Sequence, residues 1–198
     1  VTIIGGSHVT NSANTALAKP YVDFAVISEG EITALELCSK ALGRNKMDIR
    51  DIKGVAYSDK GKIIYTEKRP FIEDLNTLPM PAYHLLPMDK YEAYGWYDMG
   101  RKFSTMITSR GCPFKCSFCV SSKNFEHLWR YRSAEKVFAE MQLLYEKYKI
   151  RHIYFQDDEF AVVHKRVEKL SDMIIESKMD MIWECLTRVN HVDEPLIS

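Results

Sequence analysis

The order of apolar and polar positions divides the chain into three stretches. In the first, residues 1–43, short apolar runs at 1–4 and 24–27 predict buried strands. Apolar residues that recur every three to four positions over 31–42 predict an amphipathic helix, closed by Gly43. Strand, connection, strand and helix in this order are typical of a parallel sheet with crossovers. Because two strands are too few for a doubly wound sheet, we expect the C-terminal part of a larger domain here.

In residues 44–102, turn sequences and prolines take the place of a sustained helical spacing of apolar residues. A turn sequence at 59–62 lies between apolar runs at 54–57 and 63–66, which predicts a β-hairpin. Closely spaced prolines over 79–87 disfavour regular structure, so we interpret the rest as a Pro-rich linker. We expect an aromatic cluster to pack this linker down or to face a substrate. The cluster consists of Tyr91, Tyr94, Trp96 and Tyr97.

Residues 103–198 alternate between strand and helix patterns. Apolar runs at 103–108, 150–155 and 181–186 predict three strands. An amphipathic helix with Ser133 as its N-cap precedes the second strand, and another amphipathic helix precedes the third. Repeated strand–helix units predict parallel strands, here the first three βα units of a partial TIM-type barrel. The predicted fold class is therefore α/β.

Composition excludes several classes of protein without selecting a function. The 198 residues carry 27 Lys and Arg against 27 Asp and Glu, and 46% are apolar, so disorder is excluded and no nucleic-acid partner is indicated. No run approaches the roughly 18 apolar residues of a membrane span, and we expect no signal peptide. We therefore expect a cytoplasmic protein without a transmembrane segment. Val1 already lies in a strand pattern, so we expect the sequence to be a fragment.

The five cysteines are of two kinds. Cys38 lies in phase with apolar positions of the first helix, and Cys185 alternates with apolar neighbours in a strand. We expect both to be buried structural thiols. Cys112, Cys116 and Cys119 instead cluster after the first strand of the third stretch. The odd count and the absence of a secretory signal argue against a disulfide framework.

Three thiolates on one short loop suit two kinds of metal centre. A [4Fe–4S] cluster normally takes four cysteines, so three would leave one iron open to another ligand. Zinc, the alternative, prefers four ligands in paired Cys-x-x-Cys units, and His127 is the candidate fourth ligand. The observed spacing of Cys-x3-Cys-x2-Cys is poor for zinc and favours the iron–sulfur cluster. Its position after a strand matches where sites form in α/β folds.

The segment Cys112-Pro-Phe-Lys-Cys116-Ser-Phe118-Cys119 resembles the signature of radical S-adenosylmethionine (radical SAM) enzymes. The resemblance implies a [4Fe–4S] cluster held by Cys112, Cys116 and Cys119. In that family the open iron chelates the methionine part of S-adenosylmethionine, and one-electron cleavage yields a 5′-deoxyadenosyl radical. The resemblance also implies that Phe118 lies near the adenine.

The second strand of this stretch ends in a polar segment, Gln156-Asp157-Asp158. Strand alternation places Gln156 and Asp158 on one face, which a barrel strand would direct into the lumen. In related enzymes the end of this strand holds the amino group of the nucleoside. This implies Asp158 first and Asp157 second as cofactor-binding residues. The alternative is that an aspartate caps the following helix.

On the third strand, alternation places Glu184 and Arg188 on one face, where both would be charges in the lumen. Either could meet the methionine carboxylate or a substrate. Because a buried charge needs a partner, a structural ion pair is the open alternative.

In residues 1–43, Gly5-Gly6 after a strand and the later turn at 29–31 resemble the last part of a cobalamin-binding domain. One large radical SAM subfamily carries this Rossmann-like domain before the radical domain. The resemblance implies that Gly5 and Gly6 line the nucleotide tail of cobalamin, and a tight turn without a ligand is the alternative. The cobalt-ligating His loop of that family would lie upstream of residue 1, and His8 does not match it by position.

These resemblances together imply a cobalamin-binding radical SAM enzyme that methylates an unactivated carbon. Radical ring cyclisation or oxidation without methyl transfer is one alternative. A non-catalytic zinc- or iron–sulfur-binding module is another. The implied partners are a small-molecule, lipid-like or tetrapyrrole substrate and an electron donor such as flavodoxin or ferredoxin.

Overall fold

A computed structural model of the chain describes residues 1–93 and 99–197. The chain divides into two compact units, Val1–Glu73 and Asp74–Ser198. The domain bounds that the sequence predicts, 1–43, 44–102 and 103–198, stay a prediction. Of the predicted aromatic cluster, three members lie outside the described residues: Tyr94, Trp96 and Tyr97.

The elements of the first unit are β1 (Ile3–Ile4), α1 (Ser7–Leu17), β2 (Phe24–Val26), α2 (Glu31–Ala41), β3 (Val55–Asp59) and β4 (Lys62–Tyr65). The strands form one sheet in the order β1-β2-β3-β4, with β1 and β2 parallel and the other pairs antiparallel. The predicted hairpin forms, but it pairs with β2 instead of lying in a separate linker. It thereby covers a strand edge that would otherwise expose unpaired backbone groups.

The connection between β1 and β2 is a helix, which the apolar pattern did not predict. Its buried residues are Val9, Ala13 and Leu17, spaced four apart, and they pack on β2 and β3. Ser, Thr and Asn fill most other positions, and these residues weaken the helical signal because they favour caps and turns. Ser12 has non-helical dihedral angles and kinks the helix.

Helix α2 forms where it was predicted, but it buries a different face. Thr33 and Leu37 are its buried residues, and the Thr33 hydroxyl donates to the Lys53 carbonyl oxygen at 2.9 Å. Leu35, on the predicted apolar face, is 67% exposed. Cys38 is exposed as well, so the prediction that it is a buried thiol is wrong. Leu37 packs with Val26 and Val55 of the sheet, so the face opposite to the predicted one is buried.

The described elements of the second unit are β5 (Phe103–Met106), β6 (Ser109–Arg110), α3 (Ser121–Asn124), β7 (Arg130–Tyr131), α4 (Ala134–Tyr148), β8 (His152–Phe155), α5 (His164–Ser177), β9 (Ile182–Cys185) and α6 (Glu194–Ile197). β5, β8 and β9 form a parallel sheet in that order, which confirms the predicted alternation of strands and helices. β6 and β7 form an antiparallel pair that the sequence did not predict, because each has only two residues.

The core of the second unit lies between this sheet and helices α4 and α5. Ile153 and Phe155 of β8 are fully buried and pack with residues of both helices. Ser133 is the N-cap of α4, as predicted. Cys185 is partly buried against this core, and burial raises the pKa of its thiol to about 11. Among the described residues, no helix combines the length and the apolar character that crossing a bilayer requires.

Candidate functional site

The predicted cysteine cluster lies on an irregular loop between β6 and α3, beyond the carboxyl end of β5. Cys112, Cys116 and Cys119 are free thiols of intermediate exposure, and the side chain of Phe118 between them is 91% exposed. Burial raises the pKa of the Cys112 thiol. Among the described residues, no three His, Cys, Asp or Glu side chains gather closely enough to hold a metal ion. The thiols therefore share a loop without being preassembled.

The loop begins at a glycine that the packing requires. Gly111 has a φ of 82°, and a Cβ there would lie 2.1 Å from the Leu128 carbonyl oxygen and 2.8 Å from Phe125 Cβ. His127, the candidate zinc ligand, has its Nδ1 3.2 Å from the Phe114 carbonyl oxygen. The segment 125–128 therefore packs against the start of the cysteine loop and holds its backbone in place.

Asp157 ties the end of β8 to the start of the cysteine loop. Its carboxylate accepts a hydrogen bond from Thr108 N at 2.6 Å and further bonds from the hydroxyls of Thr108 and Ser109. Burial raises the pKa of this carboxyl, although the same hydrogen bonds oppose the rise. Arg166, itself buried, donates to the Thr108 hydroxyl. The Asp157 oxygens thus have protein donors, which favours a positioning role over cofactor contact.

Asp158 and Gln156 are exposed at the same strand end. The Asp158 carboxylate accepts a hydrogen bond from the hydroxyl of Ser121, the first residue of α3 after the cysteine loop. Helix α5 has Val163 as its N-cap, so the alternative that an aspartate caps this helix is not supported. Cofactor contact by Asp158 remains a prediction, with an accessible carboxylate to make it.

Glu159 is a buried carboxylate that the sequence argument did not single out. It accepts hydrogen bonds from the Thr187 hydroxyl and from Arg188 N at 3.1 Å, both beyond the end of β9. His191 Nδ1 lies 3.5 Å from its Oε1. The available signal was alternation, since Glu159 continues the buried face of Phe155 and Asp157. Glu159 links the ends of β8 and β9, as Asp157 links those of β8 and β5.

The two charges predicted to share a lumen face have separate partners. Glu184 Oε1 lies 2.6 Å from Nε2 of His152, which is fully buried in β8. Arg188 instead reaches the cysteine loop, where its Nη1 lies 3.4 Å from Cys116 Sγ. Its guanidinium carbon also lies 4.1 Å from the centre of the Phe114 ring.

In the first unit, Gly5 and Gly6 follow β1 at the start of α1. Gly6 has a φ of 101°, and a Cβ placed on it would meet nothing within 4 Å. A Cβ on Gly5 would make an ordinary contact at 3.5 Å with Val26 Cβ. The backbone at Gly6 is therefore open to a ligand, and the assignment to cobalamin stays a prediction.

The segment that carries the cysteine loop and the ends of β8 and β9 identifies the family. Residues 106–193 match the family described as the Radical SAM superfamily. The chain carries a radical SAM domain. The predicted resemblance is thereby confirmed at the level of the superfamily, which consists of enzymes.

Two curated relatives of this radical SAM chain match almost all of it. An uncharacterized methyltransferase of Pyrococcus horikoshii is 38% identical over 193 residues, which cover 97% of this chain and 40% of the relative. The anaerobic magnesium-protoporphyrin IX monomethyl ester cyclase of Rubrivivax gelatinosus is 31% identical over 202 residues, 100% of this chain and 36% of the relative. The chain thus spans less than half the length of these relatives.

A solved structure shares the α/β fold of this radical SAM chain. The cobalamin-dependent S-adenosylmethionine radical enzyme OxsB, with aqua-cobalamin bound, matches it with a TM-score of 0.75 at 20% identity. The match covers 98% of this chain and 26% of the chain of OxsB. At this level of identity the likeness shows the fold alone.

Proposed function

We propose that this chain holds a [4Fe–4S] cluster through Cys112, Cys116 and Cys119 and binds S-adenosylmethionine beside it. The observation that carries the proposal is the position of three thiols on one loop after a parallel strand, inside the segment matched to the radical SAM superfamily. Thiolates are the protein ligands of such clusters. When bound, the cluster supplies the electron for reductive cleavage of S-adenosylmethionine.

The residues present fit a thiolate-held cluster by their chemistry. The guanidinium of Arg188 lies 3.4 Å from Cys116 Sγ, which places a positive charge beside one of the three sulfurs. Asp157 and Gly111 hold the loop that carries the sulfurs. The chain's own contribution is therefore to place the thiolates and to fix the backbone between them.

The decisive test of the cluster is its composition after anaerobic reconstitution. The proposal predicts about four iron and four sulfide per chain, as in other cubane clusters. Cys116→Ser should lose most of this iron, whereas Cys38→Ser should keep it, because Cys38 is exposed in the other unit. Stoichiometric zinc without iron would contradict the proposal and would support a non-catalytic zinc-binding module.

For S-adenosylmethionine, we assign Phe118 to the adenine and Asp158 to the amino group. Phe118 exposes 91% of its surface, so its ring can stack on a flat base. Asp158 is exposed on the strand end next to the loop, whereas Asp157 is buried. Asp158→Asn should weaken S-adenosylmethionine binding about tenfold, which is the effect of losing about 1.4 kcal/mol from a charged hydrogen bond. Equilibrium dialysis checks this, and unchanged affinity at normal iron content would contradict the assignment.

We further propose that residues 1–43 belong to a cobalamin-binding domain and residues 103–198 to the start of a radical SAM barrel. Open backbone at Gly6 supports this, and so does the fold shared with an enzyme described as cobalamin-dependent. Cobalamin, when bound, supplies a carrier for a methyl group. Gly5→Val should weaken cobalamin binding, because the methyl groups of valine would occupy space at the strand end where the ligand would lie against the backbone. The absorbance spectrum of cobalamin measures the binding. Equal binding by wild type and variant would contradict the assignment of Gly5.

The chemistry that we propose is methylation of an unactivated carbon. The relative of Pyrococcus horikoshii, described as an uncharacterized methyltransferase, supports the methyl transfer. The cyclase of Rubrivivax gelatinosus supports a second candidate, ring formation without methyl transfer. The mass of the product separates the two, because methylation adds one methylene and cyclisation does not. The proposed partners are a small-molecule, lipid-like or tetrapyrrole substrate and a reduced flavodoxin or ferredoxin as electron donor.

A further inference from the structure

We propose that Arg188 raises the reduction potential of the cluster by donating a hydrogen bond to the Cys116 sulfur. The proposal rests on the cluster proposed above, and it assigns Arg188 to the protein–cluster contact instead of to the methionine carboxylate. Arg188 is therefore a positioning and tuning residue, whose effect can be measured without S-adenosylmethionine or any substrate.

Two contacts fix the guanidinium against the cysteine loop. Its Nη1 lies 3.4 Å from Cys116 Sγ, within the range of a hydrogen bond to sulfur. Its central carbon lies 4.1 Å from the centre of the Phe114 ring, which is the geometry of a cation–π interaction. Both partners belong to the same short loop, so the positive charge stays beside the cysteine ligands.

The backbone that carries Arg188 is held by a buried group. Glu159 accepts hydrogen bonds from Arg188 N at 3.1 Å and from the Thr187 hydroxyl, and it is only 1% exposed. On the side-chain side, Arg188 Nε donates to Asn190 Oδ1 at 3.2 Å. These bonds reduce the conformational freedom of a long side chain and direct it towards the loop.

The expected consequence follows from charge. Reduction adds one electron to the cluster, so a neighbouring positive charge stabilises the reduced form more than the oxidised form. Hydrogen bonds to cluster sulfurs act in the same direction and are among the main determinants of iron–sulfur potentials. Removal of the guanidinium should therefore make the cluster harder to reduce.

The test is a reductive titration of the reconstituted protein, followed by electron paramagnetic resonance without S-adenosylmethionine. Arg188→Gln should lower the ratio of reduced to oxidised cluster about tenfold at a given potential, a shift of about 59 mV for one electron. Arg188→Lys keeps the charge and should shift less. Arg101→Gln is the matched control. Arg101 precedes β5, so it lies at the end of that strand away from the cysteine loop, and it donates to Asp180. Its removal should not shift the reduction potential.

The outcomes separate this inference from the proposed function. Normal iron content with an unshifted potential in Arg188→Gln would overturn the inference and leave the cluster proposal intact. An equal shift in Arg101→Gln would also overturn it, because the effect would then be one of net charge. Weaker S-adenosylmethionine binding by Arg188→Gln, with an unshifted reduction potential, would overturn the inference and would indicate that Arg188 contacts the methionine carboxylate instead. Failure of the wild type to assemble iron would overturn both proposals.

Discussion

The two units treat the ends of their parallel strands in opposite ways. In the first unit, β1 ends at Gly5-Gly6, and space around the Gly6 Cα is open. In the second, β5 and β8 end among three buried charged side chains: Asp157, Glu159 and Arg166. One strand end leaves its backbone accessible, whereas the other uses side chains to fix the loops that follow.

This difference shows that a shared strand–helix order does not determine what a strand end can do. Buried carboxylates cost free energy unless donors satisfy them, and Asp157 has donors from both Thr108 and Ser109. A segment held in this way fixes the backbone from which the cysteine loop continues. An open glycine end suits a ligand that approaches the main chain.

The largest expected effect comes from removing the buried carboxylate of the second unit. Asp157→Ala should destabilise the protein by about 3–5 kcal/mol, because it leaves the donors of Thr108 and Ser109 without their acceptor and the buried charge of Arg166 without its neighbouring opposite charge. Glu29→Ala is the counterpart in the first unit, where the carboxylate accepts a hydrogen bond from Ile72 N at 2.7 Å. It should cost about 1–3 kcal/mol. Urea unfolding, followed by circular dichroism, checks both.

The pH dependence gives a second check on Asp157. Burial raises its pKa, so the folded state holds the proton more tightly than the unfolded state. The free energy of unfolding of the wild type, relative to that of Asp157→Ala, should therefore decrease as the pH rises from the pKa of Asp157 in the unfolded state through its higher pKa in the folded state. An advantage that grows with pH across this window would show that the carboxyl is held as a stabilised anion, contrary to this account.

The next effect compares two glycines in the same left-handed region. Gly111 has a φ of 82° and crowded surroundings, whereas Gly61 has a φ of 80° with nothing within 4 Å of a Cβ. Gly61→Ala should cost only about 1–2 kcal/mol for the backbone conformation. Gly111→Ala should cost about 1–3 kcal/mol more, because its methyl group would overlap the Leu128 carbonyl.

Iron content separates crowding from general instability. Gly111→Ala should also reduce the iron bound after reconstitution, because Cys112 is the next residue in the chain. Gly61→Ala should bind iron as the wild type does. If the two variants have equal free energies of unfolding and equal iron content, packing by the segment 125–128 does not determine the conformation of the loop.

The smallest effect compares the two isolated cysteines. Cys38 is exposed in the first unit, whereas burial raises the pKa of Cys185 in the second to about 11. Since the thiolate is the reactive form, iodoacetamide at mildly alkaline pH should modify Cys38 well before Cys185. Mass spectrometry of peptides taken over time measures the order, and earlier modification of Cys185 would place it outside the core.

The sequence was sufficient where local periodicity and packing agree. Helices α4 and α5 carry long amphipathic patterns and form where they were predicted. Helix α1 and the pair β6–β7 were not predicted, because the first is rich in polar helix-weakening residues and the second has strands of two residues. The face that α2 buries carries Leu37, which packs with Val26 and Val55 of the sheet, and Thr33, which donates to a residue 20 positions away, so its contacts are not local.

The same distinction holds for the candidate site. Spacing alone predicted that Cys112, Cys116 and Cys119 act together. The contact of Arg188 with Cys116 joins residues 72 positions apart, so no local pattern encodes it. Asp157 and Asp158 are neighbours with opposite surroundings, and alternation indicated which one is accessible without revealing the donors that surround the other.

The central claim is that the cysteine loop holds a cluster with one iron open to S-adenosylmethionine. The most direct measurement is the electron paramagnetic resonance spectrum of the reconstituted, reduced protein before and after addition of S-adenosylmethionine. We predict a [4Fe–4S] signal whose g values change on addition, because the nucleoside would bind the open iron. An iron signal that stays identical at saturating S-adenosylmethionine, or the absence of any iron signal, would contradict it.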